Sequence, residues 1–352
     1  MNVTENHGVT MPDQRPATDA WVKARWIDLG ECDPFDYHAT YAGVAEAMQS
    51  GDDPVMVWGT PAAHFCLGQH QSAAVELIAN PQIPIIRRPL GGGGVWLDQH
   101  QACMVLIAPR DFFPSRTDAW YAHALEPMLQ VYREMGWTVS LVEQDVWLGG
   151  KKIAGSGAAT IGAAGVVGTS FLLKFPVDEF TQQIAAPSAA YRSWLNDALR
   201  NAITTWSEHA PMPELPWLSL VYRRAASGVF GWRWEQALLR EDECAARDDY
   251  RAELIPEHDT PRKLVPHGIK INAQCFLTEQ HFDEAWVRVL SQGQSIARIA
   301  ISHLPQLPEQ HLLDCALTET AISTALLDYL SDSVVRLWAQ RILATAYFAV
   351  TP

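Results

Sequence analysis

The sequence has 352 residues, which at about 150 residues per domain predicts roughly two domains. Its composition, 48% apolar and 19% charged, is typical of a chain that buries a sizeable core and excludes a disordered polymer. The 26 Lys and Arg against 40 Asp and Glu give a formal charge of −14. This charge disfavours sequence-independent binding to nucleic acid or to an anionic membrane, so neither partner is expected.

Six cysteines lie far apart, without a CxxC pair or the Cys/His spacing of a zinc site, and predict reduced thiols in the cytoplasm. They are Cys32, Cys66, Cys103, Cys244, Cys275 and Cys315. Residues 1–19 are polar, lack an apolar export signal and are expected to form a loose tail. The uncharged run 153–173 is long enough to span a bilayer, but its five glycines indicate loop and strand.

The first predicted element is a helix after Asp33-Pro34, where an N-cap precedes a proline and apolar residues then recur at helical spacing. Short apolar runs between Gly and Pro predict a mainly antiparallel sheet. Its strands are expected at 55–58, 63–67, 83–87, 94–97 and 102–108. A second helix, with Pro127 inside, is predicted over 118–135. Further strands are predicted at 138–142, 145–148, 151–154 and 166–174, with a turn at Gly149-Gly150.

The C-terminal part has its own pattern, although residues 187–260 show poor periodicity. Residues 284–291 and 295–302 predict a hairpin around Gln292-Gly293. A helix is predicted from the face that residues 313–324 share, and a final helix over 332–347. We therefore expect an α+β domain over 20–258 and a small α/β domain over 259–352.

A double arginine precedes four glycines in the segment 87–98. Glycines let a ligand approach the backbone, their amides can cradle an anion, and arginines donate to phosphate in bidentate fashion. From these residues alone, a flexible turn flanked by surface arginines has similar weight. The segment is therefore a candidate anion site rather than an established one.

A second candidate segment follows the predicted strand at 151–154, where Lys151-Lys152 precedes Gly155-Ser156-Gly157. A lysine backed by small residues can point its ammonium into a glycine-lined cleft, although most lysines are solvated surface charges, as we expect for Lys151. The segment lacks the third glycine of GxGxxG, and the chain has no GxxxxGK[ST]. Rossmann and P-loop interpretations are thereby excluded.

Taken in order, these segments resemble the lipoate-protein ligase A branch of the biotin/lipoate ligase superfamily. The family pattern RRxxGGGxVxHD, an Asn-Asp segment, KxxGSA and HHGTLLL is matched by residues 87–98, 144–145, 152–158 and 166–173. The resemblance covers about residues 20–200, and 284–330 is similar to the accessory domain of bacterial ligases. It implies a catalytic domain of mixed, mainly antiparallel sheets and helices, followed by an α/β accessory domain.

The resemblance implies that Lys152 is the catalytic lysine, which bridges an acyl carboxylate and the α-phosphate of ATP. It implies that Asp145 holds the nucleotide or its Mg²⁺. Adenylation brings two anions together, and a lysine supplies the compact positive charge that this requires. The residues implied to bind the nucleotide or the acyl chain are Arg88, Gly91, Gly92, Gly93, Asp145, Gly155, Ser156, Gly168 and Thr169.

The resemblance also implies substrates and partners. The acid is expected to be lipoate or octanoate, with ATP and Mg²⁺ as cofactors. The acceptor is a lysine of a lipoyl domain, a glycine-cleavage H-like protein or a lipoate-binding protein. The arrangement is similar, too, to lipoate ligases that serve lipoate-binding proteins of sulfur-oxidation complexes. The enzyme itself is expected to be a cytoplasmic monomer.

Apolar residues replace polar family residues at several places, which marks a divergent member. They are Leu90, Leu97, Val166 and Val167, together with Ala159 in place of an arginine. We expect Leu90, Leu97, Val166 and Val167 to give an apolar acyl tunnel that accepts octanoate as well as lipoate.

Three alternatives are weighed against a ligase. A cofactor-free acyltransferase needs an activated thiol, but 164–168 holds no cysteine, and Cys66 and Cys103 lie on apolar strands predicted to bury them. A biotin ligase would need the GRGRxxR segment, which is missing. A non-catalytic lipoyl-binding protein is compatible with the lost polar residues, but the retained Lys152, Arg88 and Asp145 argue against it.

Overall fold

The computed structural model describes residues 21–256, 263–283, 285–302 and 309–348. The predicted tail at 1–19 and the predicted border at 258/259 lie outside these residues. The helices are α1 (Pro34–Ala47), α2 (Ala73–Glu76), α3 (Asp118–Glu134), α4 (Val177–Gln183), α5 (Ala189–Ala202), α6 (Leu215–Phe230), α7 (Glu241–Glu253), α8 (Glu319–Leu326) and α9 (Asp332–Thr345). None of the helices within the described residues is long and apolar enough to cross a membrane.

The strands fall into several mixed and antiparallel sheets. They are β1 (Val22–Cys32), β2 (Val55–Pro61), β3 (His64–Leu67), β4 (Ile85–Arg87), β5 (Val95–Leu97), β6 (Gln101–Pro109), β7 (Val139–Val142), β8 (Asp145–Leu148), β9 (Lys151–Ala154), β10 (Ser156–Ile161), β11 (Ala164–Leu172), β12 (Trp232–Gln236), β13 (Gly268–Lys270), β14 (Cys275–Phe282), β15 (Ala285–Gln292) and β16 (Ser295–Ile301). The predicted α+β class with mainly antiparallel sheets is confirmed.

The largest sheet in the described part of the chain has six strands in the order β10-β11-β6-β2-β1-β12. Its central strands are buried on both faces because side chains alternate between two cores. In β2, Val55 and Val57 join the core formed with α1, whereas Met56 and Trp58 join the core formed with α3 and α6. The candidate site lies between this sheet and the smaller sheets, and both contribute residues to it.

The helix after Asp33 is confirmed, and the Asp33 side chain accepts hydrogen bonds from the amides of Phe35 and Asp36. The helix predicted over 118–135 continues through Pro127. The turn at Gly149-Gly150 joins β8 to β9, and both glycines have the left-handed backbone that such a tight turn requires. These elements form as predicted because capping residues, helical spacing and turn glycines, all adjacent in sequence, determine them.

Two local expectations are corrected. The strand β1 lies where no element was predicted, and it pairs in parallel with β2 and β12, which are distant in sequence. The helix predicted over 313–324 begins only at Glu319, because Thr318 caps it and Leu317 N donates to Gln294 O at 2.8 Å. Residues 313–318 are therefore held against the edge of β16 instead of forming a helical turn.

The C-terminal sheet has the order β13-β14-β15-β16 and contains the predicted hairpin, formed by β15 and β16. One core joins it to α8 and α9. A second contact joins it to α5, where Tyr191 Oη donates to Leu277 O at 3.0 Å and Arg288 Nη2 donates to Ser188 Oγ at 2.9 Å. This packing brings the segment after β13 to the rim of the site.

Candidate active site

A cavity of about 190 Å³ lies where α1, the glycine segment, the β8–β9 hairpin and the segment after β13 meet. The predicted site residues on its wall are Arg88, Gly92, Gly93, Asp145, Lys152, Gly155, Ser156, Gly168 and Thr169. Gly91 was predicted to be among them but does not line the cavity, whereas Gly94 does. Arg88 and Thr169, 81 positions apart in sequence, thus share one cleft.

The position of Lys152 follows from strand β9. Its carbonyl accepts a hydrogen bond from Thr204 N at 2.9 Å, so both edges of the strand are held near this residue. Its Nζ lies 2.8 Å from Asp145 Oδ1. Successive strand residues face opposite sides, and Lys151 accordingly points away and donates to Arg200 O at 3.1 Å on the surface. The structure therefore separates the two lysines, and Lys152 alone of this pair reaches the cavity.

Asp145 is the one carboxylate on the cavity wall among the described residues. Its side chain is 7% exposed, and both oxygens have a partner: Oδ1 lies near Lys152, and Oδ2 accepts a hydrogen bond from Ala273 N at 3.1 Å. The second contact fastens the C-terminal segment to the β8–β9 hairpin. Asp145 thus orients the lysine and also closes one side of the cavity.

A second lysine, Lys270, lines the cavity beside Lys152 and was not found from the sequence. Burial lowers the pKa of Lys270, with Asp145 opposing this shift and the charge of Lys152 adding to it. Ile271 and Asn272 line the same wall. Their sequence gives no motif, because it is the docking of the C-terminal sheet that places them here.

Arg88 holds the glycine segment in shape. Its Nη2 donates to Gly91 O at 2.9 Å and to Gly93 O at 2.8 Å, and its Nη1 donates to Cys66 O at 3.2 Å. The backbone comes close enough here that a Cβ on Gly68 would lie 2.0 Å from Gly92 O. The guanidinium thus positions the loop, and its contact with phosphate or acyl chain stays a prediction.

Two predicted hydroxyls also fix the backbone around the lysine. Ser156 Oγ donates to Gln144 O at 2.6 Å, and Thr169 Oγ1 donates to Gly155 O at 2.8 Å. These bonds tie the corner between β9 and β10 to its neighbours. Both hydroxyls donate their hydrogen bonds to backbone carbonyls, so their roles toward a nucleotide stay predictions.

The expected apolar replacements divide into two groups. Leu90 and Leu97 line the cavity, as predicted for an acyl tunnel. The prediction for Val166 and Val167 is wrong, because neither lines the cavity: Val166 packs in the core below α1, and Val167 packs in the core on the opposite face. Alternation along β11 sends both into the protein interior. Ala159 packs against the first of these cores and also does not line the cavity.

The cysteines support the interpretation of buried thiols. All six are free, and Cys66 and Cys103 are buried. Cys103 is the one cysteine among the described cavity residues, and burial raises its pKa well above the ordinary value. A thiol in this environment stays protonated and is a poor nucleophile, which disfavours acyl transfer through a cysteine thioester.

Gly155 gives a direct test of the lysine's position. A Cβ there would lie 2.7 Å from Lys152 Nζ, so Gly155→Ala should displace the flexible end of that lysine without breaking the fold. A displacement of about 1 Å can cost on the order of 10²-fold in rate, which we expect for acyl-adenylate formation. Gly228→Ala, where the new Cβ would meet no atom within 4 Å apart from its chain neighbours and the backbone of its own helix, is the matched control. Equal rates for the two variants would contradict this positioning of Lys152.

The family model of the lipoyl protein ligase A/B catalytic domain matches residues 33–216, slightly more than half of the chain. No curated protein matches. Among solved structures, a bipartite lipoate protein ligase from Thermoplasma acidophilum, described with its E2 lipoyl domain, is 16% identical with a TM-score of 0.61, over 66% of this chain and 93% of that one.

Two further structures are similar. A lipoate-protein ligase A bound with ATP is 16% identical with a TM-score of 0.57, over 66% of this chain and 95% of that one. LipL1 of P. falciparum in complex with lipoate is 10% identical with a TM-score of 0.50, over 91% of this chain and 99% of that one. At such identities these similarities establish the fold, and the family assignment rests on the catalytic-domain model. The chain belongs to the family of lipoyl protein ligase A/B catalytic domains.

Proposed function

We propose that the protein is an ATP-dependent lipoate-protein ligase, which activates lipoate or octanoate as acyl-AMP and transfers the acyl group to a lysine of a lipoyl-acceptor protein. The observation that carries this proposal is the ammonium of Lys152 on the wall of a glycine-lined cavity, held at 2.8 Å by Asp145. The structures that share the fold include one bound with ATP and one in complex with lipoate, which fits both substrates.

In the first step, a carboxylate oxygen of the acid attacks the α-phosphorus of ATP. The new bond joins carboxylate oxygen to phosphorus, the bond to the β-phosphate oxygen breaks, and pyrophosphate leaves. Lys152 draws the two anions together and stabilises the charge that develops on phosphorus. Lys270 adds a second positive charge on the same wall. To reach these groups, the ammonium of Lys152 leaves the Asp145 carboxylate and binds the substrate oxygens instead.

The donor set fits Mg²⁺, which is commonly held by one or two carboxylates together with substrate phosphates. Asp145 would be the protein ligand, once Lys152 has turned to the substrates. When bound, Mg²⁺ neutralises phosphate charge. The backbone of Gly92 and Gly93, free of side chains, lets phosphate or acyl atoms approach the wall closely.

In the second step, the ε-amine of the acceptor lysine attacks the acyl carbonyl carbon. A carbon–nitrogen bond forms, the carbon–oxygen bond to phosphate breaks, and AMP leaves. The amine must be neutral to attack, and since an ordinary lysine has a pKa of about 10.4, docking of the acceptor has to remove its proton. The Lys152 charge stabilises the departing AMP.

For the acceptor we propose a lipoyl domain, a glycine-cleavage H-like protein or a lipoate-binding protein, modified in the cytoplasm by a monomeric enzyme. A similar fold is described together with an E2 lipoyl domain, and the six free cysteines fit a reducing compartment. The net charge of −14 disfavours nucleic acid and anionic membrane as partners.

The test is ATP–pyrophosphate exchange with lipoate and with octanoate. If ATP–pyrophosphate exchange occurs only when lipoate or octanoate is present, the result supports the ligase. Binding of both acids without exchange would instead identify a lipoyl-binding protein, and acyl transfer from an acyl carrier protein without ATP would identify a transferase. The same preparation can be assayed for all three outcomes.

The apolar wall predicts weak discrimination between the two acids. Leu90 and Leu97 contact the cavity without polar atoms, and apolar burial, at about 25 cal/mol per Å², hardly distinguishes a dithiolane from methylenes. We expect less than a hundredfold preference when lipoate and octanoate compete in one reaction for acyl-AMP formation. A larger preference would mean that a polar group of the wall recognises one of them.

A further inference from the structure

Three buried side chains next to the cavity direct ligand atoms at one another. His38 comes from α1, and His64 and Cys66 come from β3; each is at most 2% exposed. One nitrogen of each histidine and Cys66 Sγ all lie within 4.8 Å of one another. The two Nε2 atoms are 2.9 Å apart. Nothing in the proposed adenylation chemistry uses these groups.

The remaining ring nitrogens are each occupied by a partner. His64 Nδ1 donates to Ala62 O at 2.8 Å, which leaves its Nε2 with a free lone pair. His38 Nδ1 lies 3.1 Å from Tyr41 Oη, which can accept from that nitrogen. Histidines that ligate metals almost always donate their other ring N–H to such an oxygen. Both rings are therefore oriented as metal ligands are.

We propose that His38 Nε2, His64 Nε2 and Cys66 Sγ bind a Zn²⁺ ion. With Zn–N of about 2.0–2.1 Å and Zn–S of about 2.3 Å, tetrahedral geometry needs roughly 3.3 Å between the nitrogens and 3.6 Å from nitrogen to sulfur. The two Nε2 atoms at 2.9 Å, and ligand atoms that all lie within 4.8 Å of one another, are close enough that small side-chain rotations would bring them to these separations. Imidazole and thiolate are also the ligands that zinc prefers.

The protons balance in this step. Cys66 loses its thiol proton to solvent as the zinc–sulfur bond forms, so one H⁺ is released for each Zn²⁺ bound. The proton on His38 moves from Nε2 to Nδ1, which then donates a hydrogen bond to Tyr41 Oη, and no further proton leaves. Arg88 Nη1, 3.5 Å from Cys66 Sγ, can donate to the thiolate, while its positive charge limits the affinity for a dication.

Three protein ligands leave a fourth position open for water or another ligand. His38 and Tyr41 line the acyl cavity, so this position is close to where substrate enters. Arg88 links the cluster to the glycine segment through Gly91 and Gly93. A bound ion would thereby stiffen the cavity wall without touching Lys152.

The test uses the full-length protein, freed of any affinity tag and of metal, titrated with Co²⁺ as the spectroscopic probe. We expect one Co²⁺ per chain, with the visible bands of a tetrahedral site and a near-ultraviolet band from thiolate to cobalt, both removed by one equivalent of Zn²⁺. Cys66→Ser should lose the thiolate band, and His64→Gln should lose the tetrahedral bands. Tyr41→Phe should weaken binding by about tenfold or more.

Cys275→Ser, which removes another buried thiol, is the matched control and should retain the full spectrum. Thermal unfolding of each variant shows whether it is folded. Absence of stoichiometric Co²⁺ binding to the wild type, or a thiolate band that persists in Cys66→Ser, would overturn the proposal and leave a metal-free hydrogen-bonded chain from Tyr41 to Ala62. None of these readouts depends on the ligase activity, so either proposal can fail alone.

Discussion

Lys152→Ala should reduce both acyl-AMP formation and acyl transfer by at least 10²–10³-fold, the usual loss when one contact to developing charge is removed. The Nζ of Lys152 lies on the cavity wall beside Asp145, whereas Lys151 bonds to a surface carbonyl. Lys151→Ala should therefore change either rate less than a few fold. Single-turnover assays with ATP and lipoate, and then with preformed acyl-AMP and acceptor, measure the two steps separately.

Equal losses of rate from the two substitutions would show that both lysines bind phosphate together. This would contradict the structure, in which the two side chains point to opposite sides of β9. Stability provides a check on folding. Asp145 keeps its bond from Ala273 N in Lys152→Ala, so the variant should still fold with the C-terminal segment in place. Its thermal unfolding should accordingly stay cooperative.

Arg88→Met should lower the stability of the catalytic region substantially, because it leaves two carbonyls of the glycine loop and one of strand β3 without their donor. These are Gly91 O, Gly93 O and Cys66 O. Hydrogen bonds from a charged donor contribute about 1.5–3 kcal/mol each, so a total loss of about 3 kcal/mol or more is expected. For a chain of this size, the melting temperature should fall by roughly 5–10 °C.

Arg116→Met is the matched control, since Arg116 is largely exposed and pairs with Asp118 two residues away. Calorimetry should find its melting temperature nearly unchanged. If Arg88→Met melted like the control while losing nucleotide binding, the guanidinium would serve the ligand and not the loop. The reverse result, a large fall in melting temperature with residual adenylation, would support the positioning role.

Much of the catalytic region was predictable because its signals are local. Asp33 before Pro34 set the start of α1, paired glycines set the turn before Lys152, and the apolar run 55–58 predicted strand β2. Short-range periodicity fails where partners are distant. Strand β1 was missed because its pairing with β12 depends on residues some two hundred positions away.

The acyl wall shows the same limit. Leu90, Leu97, Val166 and Val167 all replace polar family residues, yet two of them face the cavity and two are buried in opposite cores. Motif position alone does not reveal which face of a strand is exposed to a cavity. The register of β11 in the sheet decides which of its side chains face the cavity. That register depends on the neighbouring strands β6 and β10.

By itself, the sequence determined the α+β class and the glycine segment, because these depend on backbone preferences and on residues adjacent in the chain. Its resemblance to the lipoate-protein ligases predicted a catalytic role for Lys152 rather than Lys151. The tertiary structure alone brought Lys270 to the cavity and assembled His38, His64 and Cys66. Their spacing carries no motif, since His38 lies on α1, His64 and Cys66 lie on β3, and Lys270 lies on β13. Packing of α1 and of the C-terminal sheet against the central strands sets those distances, and such packing depends on the whole chain at once.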